Sequence, residues 1–352
     1  MTYAGAVGET SEQMARALHF PTSDEVLSEI NVTGNPMTPE EFAGVFGEII
    51  KDLNARGDRE KYELRVANAL WGQKSYRFLP SFTSRVETAY GGKLQELDFV
   101  RAAEQARQTI NRWVEKQTND KIRDLIPAGV LDAMTRLVLT NAIYFKGKWA
   151  HPFEEKRTRE APFTLTDGSK TPVDMMHQTE RFGYAETDAL QVLEMPYAGD
   201  ELSLVILLPR KTDGLTAMEE ELTPEHVETW LAQIRRREVI VSVPKFKLTS
   251  KFNLERLLGS MGMPLAFSRG ADFSGMTGAP DLFISAVIHQ AYVDVNEEGT
   301  EAAAATAVTM KLTSIGPTRT PAFRADHPFI FMIRDKTSGS ILFLGRIMNP
   351  QT

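Results

Sequence analysis

Along the first third of the chain, apolar residues recur every three or four positions. The stretches 11–18, 39–53, 79–90 and 99–117 each gather such a stripe on one face, so the spacing predicts four amphipathic helices, with Thr38 as the expected cap of the second. Between them, "YELRVANALWGQ" (62–73) reads as a strand. From "RLVLTNAIYFKGKW" (136–149) onward the pattern changes to short β-rich runs: "APFTLT", "ALQVLEMPY", "LSLVILLPR" and "REVIVSVPKFKL". Gly, Pro and Asp turn signals separate them, with short helices expected at 215–221, 224–237 and 253–261. Helices first and antiparallel-looking strands later, with no linker and no repeat, predict one α+β domain over 1–352.

One stretch departs from this pattern. "NEEGTEAAAATAVTMKLTSIGPTRTP" (296–321) contains four consecutive alanines, the best helix formers. Yet it lies between "AVIHQAYVDVN" (286–296) and "PFIFMIRDKTSGSILFLGRIMNP" (328–350), which read as strands. The alanine run sits between strands.

Composition narrows the partners. The 352 residues are 42% hydrophobic, enough for a large core, and carry a formal charge of −7. That balance argues against nucleic acid and anionic membranes, which require clustered Lys and Arg. No apolar run reaches the roughly 18 residues of a membrane span. The absence of cysteine excludes disulfides, zinc–thiolate sites and a cysteine nucleophile. There is no nucleophile elbow, Walker loop, dinucleotide fingerprint or HExxH. The six histidines (19, 151, 177, 226, 289, 327) lack metal-ligand spacing, and "DFSGMTG" (272–278) lacks the Gly-Lys of a phosphate loop. No catalytic residue, cofactor or metal is expected, and an enzyme is not expected.

Six segments together resemble the serpin family: "NAIYFKGKW" (141–149), "VPKFKL" (243–248), "ADFSGM" (271–276), "NEEGTEAAAATA" (296–307), "ADHPFIFMIRD" (325–335) and "FLGRIMNP" (343–350) occur in its order and spacing. The resemblance runs from Tyr3 to Pro350. It implies an inhibitory-type member, with a prokaryotic source expected. The implied fold is a single serpin-type domain with three β-sheets and about eight helices, and an exposed reactive loop (297–321) able to insert into the large central sheet. Loop insertion in this family is itself a standard instance of strand addition and stored strain. The resemblance implies a hinge of Glu297, Glu298, Gly299, Thr300, Glu301, Ala302, Ala303, Ala304, Ala305 and Thr306. Alternation along a strand puts Thr300, Ala302, Ala304, Thr306 and Val308 on one face, and that set carries no charge, as an inserting strand requires. From Gly299 to Thr313 the strand would span about 46 Å, on the order of the whole molecule's diameter.

The family's spacing puts the reactive bond at Thr313–Ser314, with Leu312 and Lys311 as alternative cleavage points. It also implies a breach of Lys245, Trp149 and Glu297 and a shutter of Asn141 and His289. The expected partner is a serine protease of elastase-, subtilisin- or chymotrypsin-like preference, with cysteine proteases a further class; no nucleic acid or membrane is expected, and the chain is expected to be a monomer. A non-inhibitory carrier, chaperone or storage protein is the alternative. Family members begin with a long helix and a strand before the point matching Met1, so an N-terminal helix is expected to be missing, together with the serines that open the next helix. An extracellular location is favoured over a cytoplasmic one.

Overall fold

The computed structural model describes residues 1–23, 26–27, 34–56, 61–90, 92, 94–300 and 320–351. In chain order its helices are α1 (Gly8–Ala17), α2 (Pro39–Arg56), α3 (Pro80–Tyr90), α4 (Phe99–Gln117), α5 (Leu215–Glu220), α6 (Pro224–Ala232), α7 (Glu255–Ser260) and α8 (Ser274–Thr277). The strands are β1 (Tyr62–Gln73), β2 (Leu94–Leu97), β3 (Leu137–Lys148), β4 (Arg159–Thr164), β5 (Lys170–Glu186), β6 (Leu190–Pro196) and β7 (Leu202–Pro209). They continue with β8 (Arg235–Pro244), β9 (Phe246–Asn253), β10 (Ala286–Val295), β11 (Gly299–Thr300), β12 (Ala322–Arg324), β13 (Phe329–Asp335) and β14 (Ile341–Ile347). The chain forms two compact units: Met1–Arg59 with Leu64–Tyr144 and Thr249–Tyr292, and Glu60–Glu63 with Phe145–Leu248 and Val293–Thr352.

In the first unit local signals act as expected. Thr38 Oγ1 accepts from the Glu41 amide at 3.2 Å while Glu41 accepts the Thr38 amide at 2.8 Å, a reciprocal cap that starts α2. Asp98 accepts from the Arg101 amide and starts α4. Phe99, Ala106, Ile110 and Val114 of α4 bury their stripe against Trp71, Val138, Ala142, Tyr144 and Ile288. The alternate residues Leu70 and Leu137 join a second cluster with Met14, Phe42, Phe82 and Phe273. Both faces of β1 and β3 are thus covered, which is why they read as near-continuous apolar runs. β3 and β10 pair in parallel from Val138–Ala286 to Tyr144–Tyr292. The six-stranded sheet to which they belong has the order β2-β1-β3-β11-β10-β9.

The second unit is built on an eight-stranded sheet, β12-β8-β5-β6-β7-β13-β14 with β4 beside β5. β7 is buried along its whole length. The α+β class is as expected, and the eight α-helices bounded among the described residues match the expected number. Among the described residues, however, the ladders join into two sheets rather than three, because the 17-residue β5 carries β4, β8 and β6 in turn. β5 escapes sequence reading because polar residues alternate along its outer side. The helix expected over 224–237 stops at Ala232, since Arg235–Arg237 pair with Tyr184–Phe182 of β5. The helix expected from 253 starts at Glu255, whose amide donates to Asn253 Oδ1 at the end of β9.

Candidate functional site: the hinge and the seam between two strands

In the second unit, β10 leads into a tight turn. The Asn296 amide donates to Gly299 O at 2.8 Å, and the Glu298 amide donates to Asn296 Oδ1. β11 then runs antiparallel to both neighbours, with Thr300 level with Val295 of β10 and Gly147 of β3. Gly299 is required there: a Cβ would lie 1.9 Å from Gly147 O and 2.7 Å from Lys148 Cα. Gly147 is required too, because its Cβ would strike Phe145 and Tyr197. In contrast to the exposed hinge expected from the sequence, Gly299 and Thr300 are buried inside the sheet and Glu297 is only 7% exposed. The physical reason is that two uncharged residues fit the gap and continue the ladder. Residues 301–319 lie outside the described residues.

The expected breach residues come together around this turn. Glu297 pairs with Lys245 Nζ at 3.0 Å and accepts the Thr158 hydroxyl at 2.7 Å. Trp149 Nε1 donates to Asn296 O at 2.9 Å, its amide donates to Glu298 O, and its ring stacks on Tyr197 at 4.7 Å. The Tyr197 hydroxyl meets Thr300 Oγ1 at 2.8 Å. Burial raises the Glu297 carboxyl, but hydrogen bonds from Thr158, its own backbone and Lys245, with the Lys245 charge, leave it below its ordinary value. Burial drives the Tyr197 hydroxyl well above the usual phenol range.

In the first unit the expected shutter pair is also joined. His289 of β10 is level with Asn141 of β3, and its Nδ1–H donates to Asn141 Oδ1 at 2.5 Å. Asn141 Nδ2 in turn donates to Asn68 Oδ1 on β1. One polar chain therefore crosses three adjacent strands. The His289 ring lies parallel to Phe252, and burial lowers its pKa, so the ring is neutral at pH 7.

Reading the sequence alone missed Asn68, Thr158, Tyr197 and Asn296. For Asn68 a signal exists: asparagine is disfavoured in strands, yet it sits inside an apolar one. The remaining hinge positions Glu301, Ala302, Ala303, Ala304, Ala305 and Thr306, and the reactive-bond candidates Lys311, Leu312, Thr313 and Ser314, lie outside the described residues. Among the described residues no group of His, Asp or Glu is arranged to hold a metal, and no helix is long and apolar enough to cross a membrane. What the arrangement offers is a parallel pair of strands with a third strand already started between them.

Comparison with known proteins agrees. The serpin (serine protease inhibitor) family profile matches residues 1–350. The chain is 44% identical to the leukocyte elastase inhibitors of Bos taurus and Homo sapiens, over 99% of this chain and 89% of each relative. Among solved structures, uncleaved ovalbumin superposes with a TM-score of 0.83 at 31% identity, covering 99% of this chain and 89% of its own. Serpin48 of the insect Tenebrio molitor gives 0.83 at 32%, covering 99% and 87%. These named relatives are animal proteins, so the expected prokaryotic source finds no support. The chain belongs to the serpin family.

Proposed function

We propose that this chain inhibits serine endopeptidases of elastase-like preference as a suicide substrate, with its two units acting as one serpin domain. The observation that carries this reading is β11, an antiparallel strand already begun between β3 and β10. The protease serine attacks the Thr313 carbonyl, the Thr313–Ser314 amide bond breaks, the Ser314 nitrogen leaves with a proton, and Thr313 remains joined to the enzyme as an ester. Water completes an ordinary turnover. Here the released strand extends β11 instead, replacing one parallel ladder by two antiparallel ones, the more stable pairing. Roughly ten added ladder bonds at about 1 kcal/mol net each approach the stability of an ordinary domain.

Continuation in the β11 register makes a specific demand. Six residues beyond Thr300, Thr306 comes level with Asn141, six before Gly147, and with His289, six before Val295. Insertion separates Asn141 from His289, and the Thr306 hydroxyl, at once donor and acceptor, arrives between them.

Mixing the protein with an elastase tests the reading. A protease-sized adduct that survives boiling, with a released peptide beginning at Ser314, is expected; cleavage without any adduct would contradict it. Cleavage after Leu312 would fit chymotrypsin- or elastase-like enzymes, and cleavage after Lys311 would move the preference to trypsin-like ones. The leukocyte elastase inhibitor relatives support the elastase-like class. An extracellular site of action and a monomeric state complete the proposal.

A further inference from the structure

The first unit contains an open cavity of about 440 Å³ that neither the hinge nor the polar chain uses. Its size falls in the range of small-ligand sites. The connection after β1 supplies Ser75 and Arg77, the first turn of α4 supplies Val100, the residue before β3 is Arg136, Thr277 ends α8, and Asp281 comes from the stretch between α8 and β10. Arg77 has no hydrogen-bond or ion-pair partner among the described residues. The Arg136 guanidinium is held by two carbonyls, Ala133 O at 2.9 Å and Thr135 O at 3.0 Å, and faces no paired carboxylate. Asp281 Oδ1 accepts the Thr277 hydroxyl at 3.1 Å, and Asp281 has no ion pair among the described residues.

Two guanidinium groups and one carboxylate leave the cavity one positive charge in excess, although the chain as a whole carries −7. Guanidinium forks suit oxyanions. The carboxylate adds a second requirement: the anion must bring a hydrogen-bond donor for Asp281, or two negative groups face each other. We propose that this cavity binds a small oxyanion that also carries an O–H donor, of which hydrogen phosphate is the simplest, and that its occupancy braces the sheet shut. The bracing follows from where the walls are attached. Arg136 immediately precedes β3, and Asp281 lies five residues before Ala286, the first residue of β10. A ligand holding both ties together the starts of the two strands that insertion must part. This regulatory part rests on the inhibitory reading above; the binding part does not.

Calorimetric titration of the full chain at pH 7.5 with sodium phosphate, against sodium sulfate at matched ionic strength, tests the site. Sulfate has the fork-binding oxygens but no donor. Phosphate should bind more tightly than sulfate, and Arg77→Ala and Arg136→Ala should each weaken phosphate about tenfold, the value of one charge-assisted pair. Asp281→Asn should erase the preference for phosphate over sulfate. Arg77 is exposed, so its variant keeps the test open where Arg136→Ala fails to fold. Absence of binding, or binding equal for both anions and indifferent to the arginines, overturns the site. Bracing is read by hydrogen exchange of the 139–144 amides, which phosphate should slow in the wild type and not in Arg77→Ala, and by slower adduct formation with elastase. Phosphate binding with unchanged exchange overturns the bracing. If no protease forms an adduct, the inhibitory reading fails, and the titration and exchange results still decide the site.

Discussion

The turn around Glu297, between β10 and β11, and the polar chain through His289, inside β10, both gather polar groups at the six-stranded sheet, yet they do opposite work. At the turn, the Trp149 and Phe153 amides, the Trp149 indole and the Thr158 hydroxyl hold Asn296, Glu297 and Glu298. None of these bonds has to break for the strand after Thr300 to lengthen. At the other place, the Asn141–His289 bond spans the line along which β3 and β10 must separate. In the proposed insertion the first cluster acts as an anchor and the second as a latch. Polar residues buried in a sheet therefore have to be judged by whether their bonds cross a moving seam.

The largest expected effect breaks the anchor from inside. Thr300→Arg forces a charge into a position that is fully buried and touches Tyr197, which costs several kcal/mol without a partner. The protein should become a substrate: elastase should still cut it, and the boiling-stable band should vanish from the gel. Next comes the latch. Asn141→Ala removes the partner of both His289 and Asn68, and each orphaned group costs about 1–3 kcal/mol. A lower urea midpoint with unchanged slope is expected, whereas an unchanged midpoint would mean that water replaces the amide.

Acid should separate the two clusters further. His289 has a folded pKa below its ordinary 6.5, so the unfolded chain takes up the proton first. Its contribution is complete above pH 6.5 and is lost as the pH falls from there through the folded value. Glu297 is depressed below 4.5; its contribution is complete above 4.5 and is lost only as the pH falls through its lower folded value. Stability measured by urea from pH 8 to 5 should fall less steeply in His289→Gln, while Glu297→Gln should keep the wild-type slope. The smallest effect is expected from Lys245→Ala. Its side chain is 39% exposed, so the ion pair with Glu297 adds about 0–1 kcal/mol, and a larger drop in the urea midpoint would show that the lysine does more than pair.

Much of this was readable in the chain. The stripes of α4 and the apolar runs of β1, β3 and β10 follow directly from periodicity, and the family resemblance points to Lys245, Trp149, Glu297, Asn141 and His289, whose contacts the structure shows. What was not readable depends on tertiary register. Thr158 and Tyr197 belong to segments with no motif, and only folding brings them to Glu297 and Thr300. β5 hides because one side of it faces solvent, and Arg235–Arg237 look helical until β5 offers them a ladder. The burial of Thr300 could not be read either, since whether two residues of a strand enter a gap depends on Gly147 leaving room for them.

Because the chain contains no cysteine, one engineered pair reports the central claim without background. In the double variant Ala304→Cys, Ile143→Cys, the β11 register makes the two positions level on adjacent antiparallel strands, close enough for a disulfide. Under mild oxidation the account predicts a disulfide that forms only after the reactive bond has been cut. No cross-link after cutting, or an equal yield before it, would contradict insertion between β3 and β10.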